Sequence, residues 1–66
     1  MKYSLNDKIY FNEKEYGKIL EIKTNHQFCF EEIIFYNYFT NKKDSCYNSD
    51  LRFDRENRLI YYPQGV

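Results

Sequence analysis

His26 is the only histidine of this 66-residue chain, and Cys29 follows it by three residues. An imidazole that takes the proton of a neighbouring thiol is the start of a cysteine nucleophile, but that base needs a third group to orient it. No Asp stands at a recognisable spacing to do so. The pair reads as a solvated turn histidine and a half-buried thiol, joined only if tertiary geometry joins them. Cys29 and Cys46 lie 17 positions apart and, with one histidine, fit no zinc-ligand pattern. Glu31 and Glu32 are adjacent, so on a strand their carboxylates face opposite ways and cannot work as a paired acid and base. With glycine only at positions 17 and 65, no glycine-rich phosphate loop can form. No catalytic residue, metal or cofactor is expected, and the chain reads as a non-enzyme whose chemistry is binding.

Two groups of side chains fit that role. Arg52, Arg55 and Arg58 are the only arginines, lie within seven residues and stand next to Tyr61 and Tyr62. A guanidinium holds a phosphate through two parallel hydrogen bonds while a tyrosine ring stacks on a base, which makes this segment a candidate seat for a nucleotide-type ligand. The plainer reading is a solvated hairpin tip balanced by Asp50, Asp54 and Glu56. The second group is Tyr36 and Tyr38 on one parity of a strand with Phe35 and Phe39 on the other. These are core rings in the plainer reading. In the functional one, a strand still apolar on both faces once the core is filled pairs with another copy or docks on a partner protein. The binding surface is accordingly expected at Tyr36, Tyr38, Arg52, Arg58, Tyr61 and Tyr62.

The elements that position these residues are strands. Period-two alternation of aromatic and β-branched residues, broken by short polar clusters, predicts five of them, over residues 8–12, 16–24, 27–39, 51–53 and 58–62. Gly17 marks a bulge or tight bend near the start of the second. The third is apolar on both parities and is expected to bend at Glu31 and Glu32, with a helix over 31–39 as the competing reading. Residues 41–49 are polar and predict the longest loop, while 54–57 close a terminal hairpin in which Asn57 supplies the positive φ. Pro63 stops the last strand, leaving residues 63–66 as a tail. Five short antiparallel strands are too few for a sandwich, so the expected fold is all-β, a small strongly bent barrel or curled sheet, SH3-like by analogy. Its expected core is Ile9, Phe11, Leu20, Ile22, Phe28, Phe30, Ile34, Phe53 and Leu59.

Composition bounds the partners. Fourteen residues are aromatic, eight Tyr and six Phe, more than one 66-residue domain needs for its own core. Ten basic residues meet ten acidic ones, the pI is near 6.5 and neither half is a basic arm, which argues against general nucleic-acid binding. The first seven residues contain no apolar run, and no run in the chain, residues 33–36 included, exceeds four members, so neither a signal peptide nor a membrane span is expected. Both cysteines are then expected as reduced thiols in a cytoplasmic protein. Residues with A/T-rich codons (Phe, Tyr, Met, Ile, Asn, Lys) number 35, against six for Gly, Ala, Arg and Pro. That bias suggests a low-GC bacterium, or the host cell of its phages and mobile elements. The expected function is a single-domain interaction protein that binds stoichiometrically, to a partner protein or as a homo-oligomer, such as a phage product that inhibits a host defence protein or sequesters a nucleotide signal. The alternative is a small nucleic-acid-binding barrel that stacks bases on its tyrosines and contacts phosphates through Arg52, Arg58, Lys42 and Lys43.

Overall fold

Asparagine sets the turns of this fold. Among the described residues, four of the six non-glycine positions with positive φ are Asn6, Asn12, Asn41 and Asn57, and asparagine tolerates that left-handed conformation better than most other side chains. The computed structural model describes residues 3–63, so the predicted tail at Gln64, Gly65 and Val66 lies outside the described residues. The strands are β1 (Lys8–Phe11), β2 (Lys14–Asn25), β3 (Phe30–Asn37), β4 (Lys42–Tyr47), β5 (Leu51–Phe53) and β6 (Leu59–Tyr61). A single 3-10 turn, Asn48–Asp50, is the only helical element among the described residues.

The strands form one sheet in the order β4-β3-β2-β1-β6-β5, curled into a half-barrel. The all-β class and the curl are those read from the sequence. Two details differ. A sixth strand, β4, occupies most of the segment expected as a loop, because an edge strand needs only one inward apolar residue, here Cys46, and carries charge elsewhere. In addition β1 and β6 pair in parallel, through Ile9 opposite Leu59 and Tyr10 opposite Ile60, while every other pairing is antiparallel.

Two bulges decide which side chains face inward. Asn12 and Glu13, at φ 52° and 65°, close a two-residue hairpin whose twist matches its strands. The β1–β2 register then slips once, leaving Tyr16 as an extra residue beside Gly17, where a bulge was expected. A second slip, between β2 and β3, leaves Leu20 as the extra residue. It turns Ile19 into the core and pushes Leu20 to a half-buried position, the reverse of the sequence reading, which had no means of seeing a bulge without glycine.

The parity of β3 is also reversed. Ile33, Phe35 and Asn37 point inward and are buried, so Phe30 and Ile34 are only half-buried and Phe28 is 66% exposed. There is no bend at Glu31 and Glu32. Both lie within β3, a strand and not a helix, and the chain turns earlier, where the Asn25 Oδ1 accepts the N–H groups of Gln27 and Phe28 at 3.0 and 3.1 Å. The buried core is Tyr3, Ile9, Ile19, Ile33, Phe35, Cys46, Leu51 and Leu59, with Tyr16, Ile22 and Tyr61 packed against it. Of the expected core, Ile9 and Leu59 are fully inside, Phe11 and Ile22 are half-buried, and Phe53 is 39% exposed because the sheet opens beside β5.

Candidate functional site

The inner face ends in a cluster of rings built around Tyr16. Its ring centroid lies 5.4 Å from Phe11, 5.7 Å from Phe35 and 5.5 Å from Phe39, and it stacks on Tyr61 at 5.3 Å with planes 12° apart. The bulge makes this possible by turning Tyr16 inward together with Gly17. Phe35 and Tyr61 are enclosed to different degrees, and burial raises the Tyr61 hydroxyl above its ordinary pKa. Phe39 is different: it is 59% exposed, and it forms the outer wall of an apolar cleft of about 400 Å³ with Phe11 and Tyr16. Asn12, Lys14 and Thr40 supply the polar rim of that cleft.

Phe11 also borders a second cleft of about 370 Å³, and here three of the six expected site residues, Arg58, Tyr61 and Tyr62, do come together. Arg58 is already engaged. Its Nε donates to Asp54 Oδ2 at 2.8 Å, Glu56 lies 3.5 Å away, and its guanidinium sits 5.5 Å from the Tyr10 ring. Asp54 in turn accepts the Arg58 backbone N–H at 2.8 Å and that of Glu56 at 2.9 Å, and these bonds, the first above all, hold its carboxyl below the usual range. The aspartate is thus the organiser of the β5–β6 turn, where Asn57 has φ 61° as expected. Arg52 stacks its guanidinium 5.9 Å from the Tyr62 ring. The nucleotide seat expected on this hairpin therefore has one arginine, Arg58, neutralised by carboxylates and one tyrosine, Tyr61, committed to the core cluster.

Tyr36 and Tyr38 belong elsewhere, since β2 and β1 stand between β3 and β6. Their rings are 5.9 Å apart, and the Tyr36 hydroxyl donates to Asn41 Oδ1 at 3.4 Å. Tyr36 faces outward with Lys18 directly opposite on β2 and Lys43 directly opposite on β4. The expected single surface is two separate ones.

A third aromatic group escaped the sequence reading. Phe28 stacks on Phe30 at 6.3 Å, and Phe30 meets Tyr47 edge-on at 5.4 Å, with Tyr47 50% exposed. Its signal was the even parity of Phe28 and Phe30, which points away from the core once Ile33 and Phe35 are taken as inward.

His26 and Cys29 are both exposed in the β2–β3 turn. His26 lines a groove of about 870 Å³, together with Tyr3, Glu31, Asn48, Arg52 and Phe53, and Cys29 is not part of it. Among the described residues no group of three or more His, Cys, Asp or Glu side chains converges to hold a metal ion. No helix of the described residues is long and apolar enough to cross a membrane. Comparison with protein families, with curated proteins and with solved structures finds no match to this chain. Fold and surface together define a small curled-sheet domain with aromatic side chains on both of its faces.

Proposed function

We propose that this chain is a non-enzymatic interaction domain that binds a partner protein stoichiometrically, seating an apolar side chain of that partner in the cleft between Phe11, Tyr16 and Phe39. The observation that carries this reading is Phe39, a large apolar ring left 59% exposed although four other rings of the same cluster are packed behind it. An exposed ring over a preformed apolar cleft is costly in water and becomes favourable when a partner covers it. The A/T-rich residue choice supports a phage or mobile-element origin, and inhibition of a host defence protein is the stoichiometric role that suits it.

Self-association is the second form of the same reading, and the structure limits its route. The outward edge of β4 is blunted, because Ser45 N–H donates to Asp44 Oδ1 at 2.8 Å and Tyr47 N–H to Asp50 Oδ2 at 2.9 Å. Groups so engaged do not add a strand. That leaves a homo-oligomer the aromatic faces and the short β5 edge.

The test is affinity capture from a low-GC bacterial lysate with the wild-type chain and with Phe39→Ala, followed by reconstitution of the captured protein in purified form. The expected result is a complex of fixed stoichiometry that Phe39→Ala weakens by about 2 kcal/mol or more, as for an interface hot spot, at an unchanged melting temperature. Equal affinity of the two chains for the purified partner would rule out the cleft.

A further inference from the structure

The convex face carries an arrangement that sheet stability does not ask for. Lys8 of β1 stands directly opposite Lys18 of β2, Lys18 opposite Tyr36 of β3, and Tyr36 opposite Lys43 of β4. Directly opposed residues share a face, so the four make one row across four strands, on the side away from Ile19 and Phe35. Like charges opposite one another weaken a strand pair. Glu15 offsets this only at Lys8, meeting its ammonium at 2.8 Å. Lys18 and Lys43 are exposed, and neither forms an ion pair among the described residues.

Overall neutrality hides this row, in which no carboxylate stands, because the acids lie off it. Asp54 holds Arg58, Asp44 and Asp50 cap the amides of Ser45 and Tyr47, and Glu31 accepts the Tyr3 hydroxyl at 2.9 Å. Glu32 stands opposite Lys23, further along the sheet. Glu21 stands opposite Ile34, the next outward pair along β3, so the positive charge is local to the row: the two residues directly opposite Tyr36 are both lysines.

Neighbouring strands lie about 4.8 Å apart, so Lys18 and Lys43 flank Tyr36 across roughly 10 Å. The Tyr38 ring lies 5.9 Å from that of Tyr36 at an angle of 59°, and Asn41 holds the Tyr36 hydroxyl. Sequence-tolerant binding of single strands uses this combination, aromatic faces for bases and cations for the backbone. A duplex offers no unstacked base to such rings, and the row has no projecting element to enter a groove. We propose that Lys18, Tyr36, Tyr38 and Lys43 form a seat for a short single-stranded nucleic acid, with bases on the two tyrosines and phosphates at the two lysines. This site is separate from the Phe39 cleft and does not depend on it.

The experiment is fluorescence anisotropy with a fluorescein-labelled oligothymidylate, the matching duplex and inorganic polyphosphate as probes. The expected result is saturable binding of the single strand at about 50 mM salt, with log K falling against log salt at a slope of about −1.4 for two phosphates. Lys18→Gln with Lys43→Gln abolishes the slope, Tyr38→Ala weakens binding about fivefold or more with the slope kept, and Phe39→Ala leaves it unchanged. Circular dichroism melting confirms that each variant is folded, and Tyr36→Phe, which keeps the ring, retains affinity. No saturation up to about 100 µM, the weak end of non-specific binding, would overturn the proposal. So would equal binding of duplex or polyphosphate, or indifference to Tyr38→Ala, since any of these reduces the row to simple ion exchange.

Discussion

The side-chain oxygen of Asn37 accepts the backbone N–H of Phe39 at 2.9 Å, and so a buried residue at the end of β3 sets the pose of the exposed ring over the cleft. The same oxygen takes the Thr40 N–H at 3.3 Å, while the Asn37 amide donates to Asp44 Oδ2 at 3.5 Å and its carbonyl accepts the Asn41 N–H at 2.8 Å. A polar group this buried is tolerated because its side-chain oxygen and nitrogen both have partners. It links the core to the turn that carries Phe39.

Asn37→Ala removes the acceptor and leaves two turn amides without it. The expected loss is about 1 to 3 kcal/mol of stability, read as a shift of the urea midpoint at constant m-value. Asn37→Asp keeps the acceptor and is expected to restore the turn, although it sets a second carboxylate near Asp44. A midpoint unchanged in Asn37→Ala would show that the turn closes without its side-chain acceptor.

Gly17 is required for space. It lies opposite Asn37 on β3, and a Cβ there would overlap the Tyr36 carbonyl oxygen and come within 2.9 Å of the Phe35 ring. Neither neighbour can yield cheaply, one being backbone and the other the largest fully buried side chain. Gly17→Ala is therefore expected to cost about 1 to 3 kcal/mol by overpacking, measured by thermal melting. Tolerance of alanine would mean that β2 and β3 separate more readily than their pairing implies.

How much of this was written in the sequence follows from what each segment had to signal. The β5–β6 hairpin was legible because Asn57 and the alternation on both sides of residues 54–57 act locally. The parity of β3 was not, since apolar residues on both parities leave the inward face to be chosen by partners, and Ile33 is chosen by Ile22 and Cys46 across the sheet. β4 was hidden for the opposite reason, having one buried side chain and no alternation to betray it. The site suffered accordingly. Tyr61 and Tyr36 look alike in sequence, and only the register places one in a ring cluster and the other between two lysines.

Stability should fall at alkaline pH. Burial first, then the charges of Asp50 and Asp44, pushes the Cys46 thiol from its ordinary 9.0 up to about 12, and burial with the Glu31 hydrogen bond raises Tyr3 as well. In the unfolded chain these groups lose their protons at ordinary values, so from pH 9 to 12 the unfolded state binds fewer protons than the folded one. The slope of unfolding free energy with pH is then negative: the contribution is complete below the unfolded thiol value and is lost as pH rises through the folded one. Urea midpoints at pH 8 and above should decline, and Cys46→Ala should flatten part of that decline. A midpoint independent of pH in this range would show that Cys46 and Tyr3 are not buried as described.

Tyr61 and Phe39 touch the same ring, Tyr16, yet they should respond oppositely to truncation. Tyr61 is half-buried and also meets Phe11 at 5.8 Å and Phe35 at 6.2 Å, so Tyr61→Ala opens a cavity in the cluster and removes a stacked pair. A loss of about 2 kcal/mol is expected, below that of a fully buried ring because part of Tyr61 reaches water. In a domain of this size that lowers the melting temperature by roughly 8 to 15 °C. Phe39→Ala removes a ring that mostly faces solvent and should change stability by about 0.5 kcal/mol or less while exposing the Tyr16 face. Arg58→Ala removes a solvent-screened ion pair and should cost less than Tyr61→Ala, because Asp54 keeps its bonds from the Arg58 and Glu56 backbone amides. Differential scanning calorimetry of the three variants ranks them directly. If Phe39→Ala proved as costly as Tyr61→Ala, Phe39 would be a structural ring and the cleft a consequence of packing.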